Sequence, residues 1–150
     1  MALKDKINDD LKAALLGGDR FKGEVLRGLK AVILNEEVAQ GKRDEGLDDS
    51  VIEQLIAREV KKRNESAAIY DGANRAELAE NERAEMAIIS NYLPEQVSEA
   101  DIKASIAKAI EELGVNNSTG FGQVIGAVKK EFGNSADGAL VAKLVKEALN

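Results

Sequence analysis

Three stretches of this 150-residue sequence hold residues whose type and spacing could do chemistry. The first is REVKKRNES, where Arg58, Lys61, Lys62 and Arg63 set four positive charges against Glu59. A helix bearing them can contact phosphates. The same run also reads as a solvated helix face laced with pairs such as Glu59 to Arg63. The second is GFGQVIGAVKKEFGNSADGALVAKLVK, in which two helix starts and Lys129, Lys130, Lys143 and Lys146 surround small residues. Glycines let a phosphate or ribose come close to the backbone, and free amides near Ser135 to Gly138 favour an anion. Together they make a candidate RNA-backbone site; the competing reading is glycines as caps and helix contacts beside ordinary surface lysines. The third is ELAENERAE, whose Glu77, Glu80, Glu82 and Glu85 could hold Mg²⁺ or act as paired carboxylates. The interspersed Arg75 and Arg83 favour surface ion pairs instead.

Several chemistries are excluded outright. With no Cys there is no disulfide, thiolate nucleophile or cysteine-ligated zinc, and with no His the usual proton shuttle near neutral pH is missing. The GxG in GFGQVIG follows no strand and has the wrong spacing for a nucleotide fingerprint. No Ser-Lys amidase constellation or phosphate-cradling loop is present. The sequence therefore predicts no catalytic centre, no metal site and no cofactor. A net charge of −6 opposes broad attraction to polyanions, so nucleic-acid binding would have to come from a local patch, and no DNA partner is expected. No apolar run approaches the roughly 20 residues of a membrane span, and the start MALKDKINDD lacks the apolar core of a secretory signal. A cytoplasmic protein without a membrane partner is the expectation.

The elements that must position these residues are helical. One Pro, few aromatics and an abundance of Ala, Leu, Glu and Lys are the composition of an all-α protein. Leu3, Ile7, Leu11 and Leu15 mark a first helix ending at Gly17-Gly18, and Asp19 can cap a second with Val25, Leu26, Leu29, Val32 and Ile33 inward. After the polar run from Gln40 to Gly46, Asp48 or Asp49 can cap a third helix reaching Asp71-Gly72. A fourth runs from Asn74 to Leu93, where Pro94, the only proline, stops it. Ser98 ahead of Asp101 can restart a fifth carrying Ile102, Ile106, Ile110 and Leu113. Gly114 ends it. Asn117, Ser118 or Thr119 can cap a sixth, and Ser135 or Asp137 a seventh. Glycines at 114, 120, 122, 126, 133 and 138 crowd the part after Pro94. That pattern describes a helical domain over 1–93, a hairpin or bundle of about four helices, and a compact three-helix module over 94–150.

Read in order, EVKKRNES, YDGANRAELAENE, NYLPEQVSE, VIGAVKK and ADGALVAKLVKEAL resemble the YqeY family, also called GatB/YqeY-like proteins, over nearly the whole chain. YLPEQ and the ADG that opens the last helix are the most specific blocks. The resemblance implies an all-helical protein of bacterial type whose 94–150 part is a GatB/YqeY-like tail module, similar to the tail of the B subunit of the tRNA-dependent Asp/Glu amidotransferase. In that enzyme the tail helps hold the outer corner of tRNA. Its glutamine-dependent carbon–nitrogen ligase chemistry belongs to other domains and subunits. The resemblance thus implies an accessory protein that binds tRNA through Lys129, Lys130, Ser135, Gly138, Lys143 and Lys146, with Arg58, Lys61, Lys62 and Arg63 as a secondary basic face, and that associates with an amidotransferase or another tRNA enzyme. The alternative is a helical adaptor between proteins that does not bind RNA. One departure is local: family members usually place a basic residue just before ADG, where this chain has Asn134 and Ser135.

Overall fold

The computed structural model describes residues 2–150, and these are all-α, with seven helices and no strand among them. They divide into two compact units, Met1–Leu93 and Pro94–Asn150.

In the first unit, α1 (Ala2–Leu16) and α2 (Arg20–Ala39) reverse through Gly17, Gly18 and Asp19. Gly18 takes φ +77°, a backbone that costs glycine little, and the Asp19 carboxylate accepts the Lys22 amide at 3.1 Å to start α2. α3 (Asp49–Gly72) and α4 (Ala76–Ser90) reverse through Ala73 to Arg75. Two contacts fix the order of the ends. The Leu3 amide donates to the Asp49 carboxylate at 3.2 Å, and the Lys4 ammonium meets Glu37 at 2.7 Å. The start of α1, the end of α2 and the start of α3 therefore share one end of an up-down-up-down bundle. Glu37 is 1% exposed, and the Lys4 ammonium supplies a partner for its carboxylate there. Leu26, Ile33, Ile52, Ile56 and Ile89 fill the core, each fully buried aliphatic stabilising by roughly 1.5–3 kcal/mol.

Four expectations shift here. Leu15 is 52% exposed and Ala14 takes its place inside, because each four-residue step turns a helix by about 40° beyond a full circle and three steps carry Leu15 off the stripe. Asp48 holds the cap position of α3 without a side-chain bond, while Asp49 serves α1. Asn74 adopts φ +63°, so α4 begins at Ala76. At its other end α4 closes at Ser90, three residues before Leu93. Leu47, at the end of the polar connection, is 1% exposed and belongs to the core.

Beyond α4, Tyr92 packs into this core and its hydroxyl donates to Asp10 on α1 at 2.6 Å. Burial, reinforced by that bond, pushes the phenol above its usual range.

In the second unit, α5 (Glu99–Leu113) is capped by Ser98, whose hydroxyl oxygen accepts the Asp101 amide at 3.1 Å, and ends at Gly114 in the left-handed region. Asn117 caps a 3₁₀ turn, Ser118–Gly120, that runs straight into α6 (Phe121–Phe132). Gly120 lies so close to Val115 that a Cβ there would stand 2.5 Å from it. A second 3₁₀ turn, Gly133–Ser135, leads to α7 (Gly138–Leu149), capped by Asp137 and not by Ser135. Ile102, Ile106, Val124, Val128, Val141, Leu144 and Val145 form the separate core of this unit. The chain after Pro94 is tied down: Gln96 donates its side-chain amide to the Asn134 carbonyl at 2.9 Å, and the Val97 amide donates to the Ser135 carbonyl at 2.8 Å.

Candidate nucleic-acid interface

α6 buries Val124 and Val128, and that choice decides which residues point outward. At about 100° per residue, Gly122, Gly126 and Lys129 stand at i, i+4 and i+7 on one outer face. Gly122 and Gly126 are exposed, and nothing lies within 4 Å of where a Cβ would be. The result is a strip of bare helix backbone with a lysine at one end. Lys130, next along the chain, points about 100° away from Lys129, so the consecutive pair is split between two faces. On α7, Val141, Leu144, Val145 and Leu149 turn inward and leave Lys143 and Lys146 one turn apart outside. All four lysines are exposed, and among the described residues none joins an ion pair.

The start of α7 differs from the expected anion site. The Asp137 carboxylate accepts the Leu140 amide at 3.0 Å, so it occupies one of the free amides and sets a negative charge beside the others. Ser135 is half-buried and its carbonyl is committed to Val97. Gly138 is exposed as the first residue of α7. YLPEQ and GNSADG thus meet through Gln96 and Val97, a tie that joins residues 38 positions apart and leaves no local trace in the sequence.

The secondary basic face is divided among several directions. Arg63 bonds Glu59 at 3.0 Å and Glu85 of α4 at 3.2 Å, which makes it a clamp between α3 and α4. Lys62 stands 3.9 Å from Glu59, while Lys61 is exposed on another side of the helix. Arg58 and Lys62 line a groove of about 420 Å³ between α2 and α3, with Val32, Asn35, Glu36, Ala39, Leu55 and Glu59. Two of the four glutamates in the acidic stretch are paired, Glu85 with Arg63 and Glu77 with Arg75 at 4.0 Å, while its Arg83 pairs with Asp71 of α3. Among the described residues no three His, Cys, Asp or Glu groups gather as a metal site would require.

A family model described as Yqey-like protein matches residues 4–149. The chain is similar to proteins named altered inheritance of mitochondria protein 41, mitochondrial. It is 34% identical to that of Lachancea thermotolerans over 114 residues, 74% of this chain and 59% of the relative. To that of Kluyveromyces lactis it is 29% identical over 71% of this chain and 58% of the relative. To that of Pyrenophora tritici-repentis it is 26% identical over 96% and 79% respectively. The chain thus spans less than two thirds of the length of the first two relatives. Their names overturn the expectation of a cytoplasmic protein of bacterial type. The physical reason is that a missing apolar core speaks only against secretion. Mitochondrial targeting segments are amphipathic and have no such core.

Proposed function

This chain belongs to the YqeY family, and from that premise we propose that it is a non-catalytic accessory protein that holds tRNA through its second unit. The observation that carries the reading is the outer face of α6. Solvent-exposed glycines inside a helix each cost up to about 1 kcal/mol relative to alanine, and Gly122 and Gly126 have no packing neighbour that requires them. Bare backbone next to Lys129 suits a ribose-phosphate chain, which can approach the helix where no side chain stands. Lys130, Lys143 and Lys146 extend the positive surface. By its resemblance to the amidotransferase tail, the protein works beside an amidotransferase or another enzyme that acts on tRNA, and the relatives' names support a mitochondrial setting.

The test is titration of fluorescently labelled tRNA at two salt concentrations. Micromolar binding that weakens with salt is expected, and Lys129→Ala with Lys130→Ala should lower the salt slope by about 1 for each lysine that touches phosphate. No binding, or binding indifferent to salt, sinks the reading. A second reading, a helical adaptor that does not bind RNA, is favoured by one observation: residues 94–150 hold six lysines against eight carboxylates, with no arginine. Pull-down after nuclease treatment separates the two, since an adaptor keeps its partner when RNA is gone.

A further inference from the structure

Residues 61–87, which comprise the outer half of α3, the turn and most of α4, contribute nothing to the hydrophobic core of the first unit. Among these residues only Ala67 and Ala79 are buried, while Ile69 is 69% exposed and Leu78 is 37% exposed. The boundary is sharp on both helices. Ile56 and Ile89 are fully buried, and Val60 and Ile88 pack against the same core. Helical segments of about 12 residues are marginal without packing, and two alanines bury little apolar area. Polar contacts therefore carry much of what closes this pair of segments. At its base the Arg63 guanidinium bonds Glu59 at 3.0 Å and Glu85 at 3.2 Å, and it also donates to the Glu59 carbonyl at 3.4 Å. Nearer the turn Arg83 pairs with Asp71, both exposed. The turn itself is closed by Asn74 at φ +63° and by the Arg75 amide, which donates to the Tyr70 carbonyl at 2.8 Å.

We infer that residues 61–87 form an arm that opens as one unit while the core of the bundle stays folded, with Arg63 as the latch at its base. Opening the arm uncovers the two buried alanines, whereas unfolding the core uncovers Leu26, Ile33, Ile52, Ile56 and Ile89. The first event therefore costs far less than the second, and it exposes too little surface to respond strongly to denaturant. Exposed ion pairs such as Arg83 with Asp71 hold loosely, so the half-buried Arg63, which reaches both helices, decides how often the arm opens. The device lets the first unit change shape without giving up its core. It lies outside the tRNA reading, whose residues belong to the second unit, and stands independently of it.

The experiment is native-state hydrogen exchange of the full-length protein, followed residue by residue by NMR at low urea concentrations. Amides of residues 64–84 should be protected at least about 100-fold less than those of residues 52–56, with little dependence on urea and an abrupt rise in protection toward Val60 and Ile89. Arg63→Gln should speed exchange in the arm by about three- to tenfold and leave residues 52–56 unchanged. A lock supplies the converse. The chain has no Cys, so Asp71→Cys with Arg83→Cys can be bridged selectively by dibromobimane. The bridged protein should exchange in the arm at least about tenfold more slowly than the same variant left unbridged, with its core unaffected. The inference is overturned if residues 64–84 exchange only with the protection and urea dependence of the core, or if protection declines smoothly toward the turn, which is fraying. It also falls if Arg63→Gln speeds the core amides as much as those of the arm, or if the bridge leaves arm exchange unchanged.

Discussion

Gly126 is where the competing demands on the second unit are easiest to separate. A Cβ there meets nothing within 4 Å, and the residue lies inside α6. Gly126→Ala should therefore stabilise the protein by about 0.5–1 kcal/mol, seen as a higher urea midpoint. If the bare backbone is a contact surface for tRNA, the same change should weaken tRNA binding in parallel titrations. A stability gain with unchanged binding would remove α6 from the interface. Asp137 poses the reverse case. Its carboxylate caps α7 and repels an incoming phosphate at the same time. Asp137→Ser keeps a good cap and deletes the charge, so stability should move by less than about 1 kcal/mol while tRNA affinity rises. Unchanged affinity would place the contact away from the start of α7.

At the scale of elements, Tyr92 ties the segment after α4 to α1, and that tie carries a pH signature. Its hydroxyl donates to Asp10 at 2.6 Å, with the Lys6 ammonium 5.6 Å from the ring centre. Tyr92→Phe should cost about 1 kcal/mol near neutral pH. Burial and then the bond to Asp10 raise the phenol's pKa in the folded protein. The unfolded chain releases that proton near pH 10 while the folded chain keeps it. The contribution of Tyr92 is thus complete below about pH 10 and fades as pH climbs above it. Urea midpoints of the wild type and Tyr92→Phe should differ at pH 7 and converge near pH 11; a constant gap would refute the assignment. Asp19, Ser98 and Gly114 were legible in the sequence as helix boundaries because capping is settled within a few residues. The burial of Leu47, the pairing of Glu37 with Lys4, and the hold of Gln96 on the Asn134 carbonyl were not. Each depends on chain far away in sequence. For the same reason the basic run at Arg58 to Arg63 was visible as charge, while its division between a clamp and a groove required α2 and α4 to be in place.

For the molecule as a whole, a net charge of −6 limits how tRNA can be held. With four candidate lysines on the second unit, the slope of log affinity against log salt should be no steeper than about −3 to −4. A steeper slope would mean that cations of the first unit also touch the RNA, and adding Lys61→Ala to the titrations would then flatten it. The lysines were readable from type and position alone. That Lys129 and Lys130 serve different faces follows from which side of α6 is buried, which only the packed unit reveals. Finally, the connection from Gly41 to Glu45 is exposed throughout, whereas Leu47 just beyond it is anchored in the core. Doubling the length of such a loop costs only about 0.6 kcal/mol. A circularly permuted fluorescent protein spliced between Arg43 and Asp44 should leave the bundle folded. Standing a few residues from the end of α2, it would turn a movement of α2 against α3 into a change of brightness.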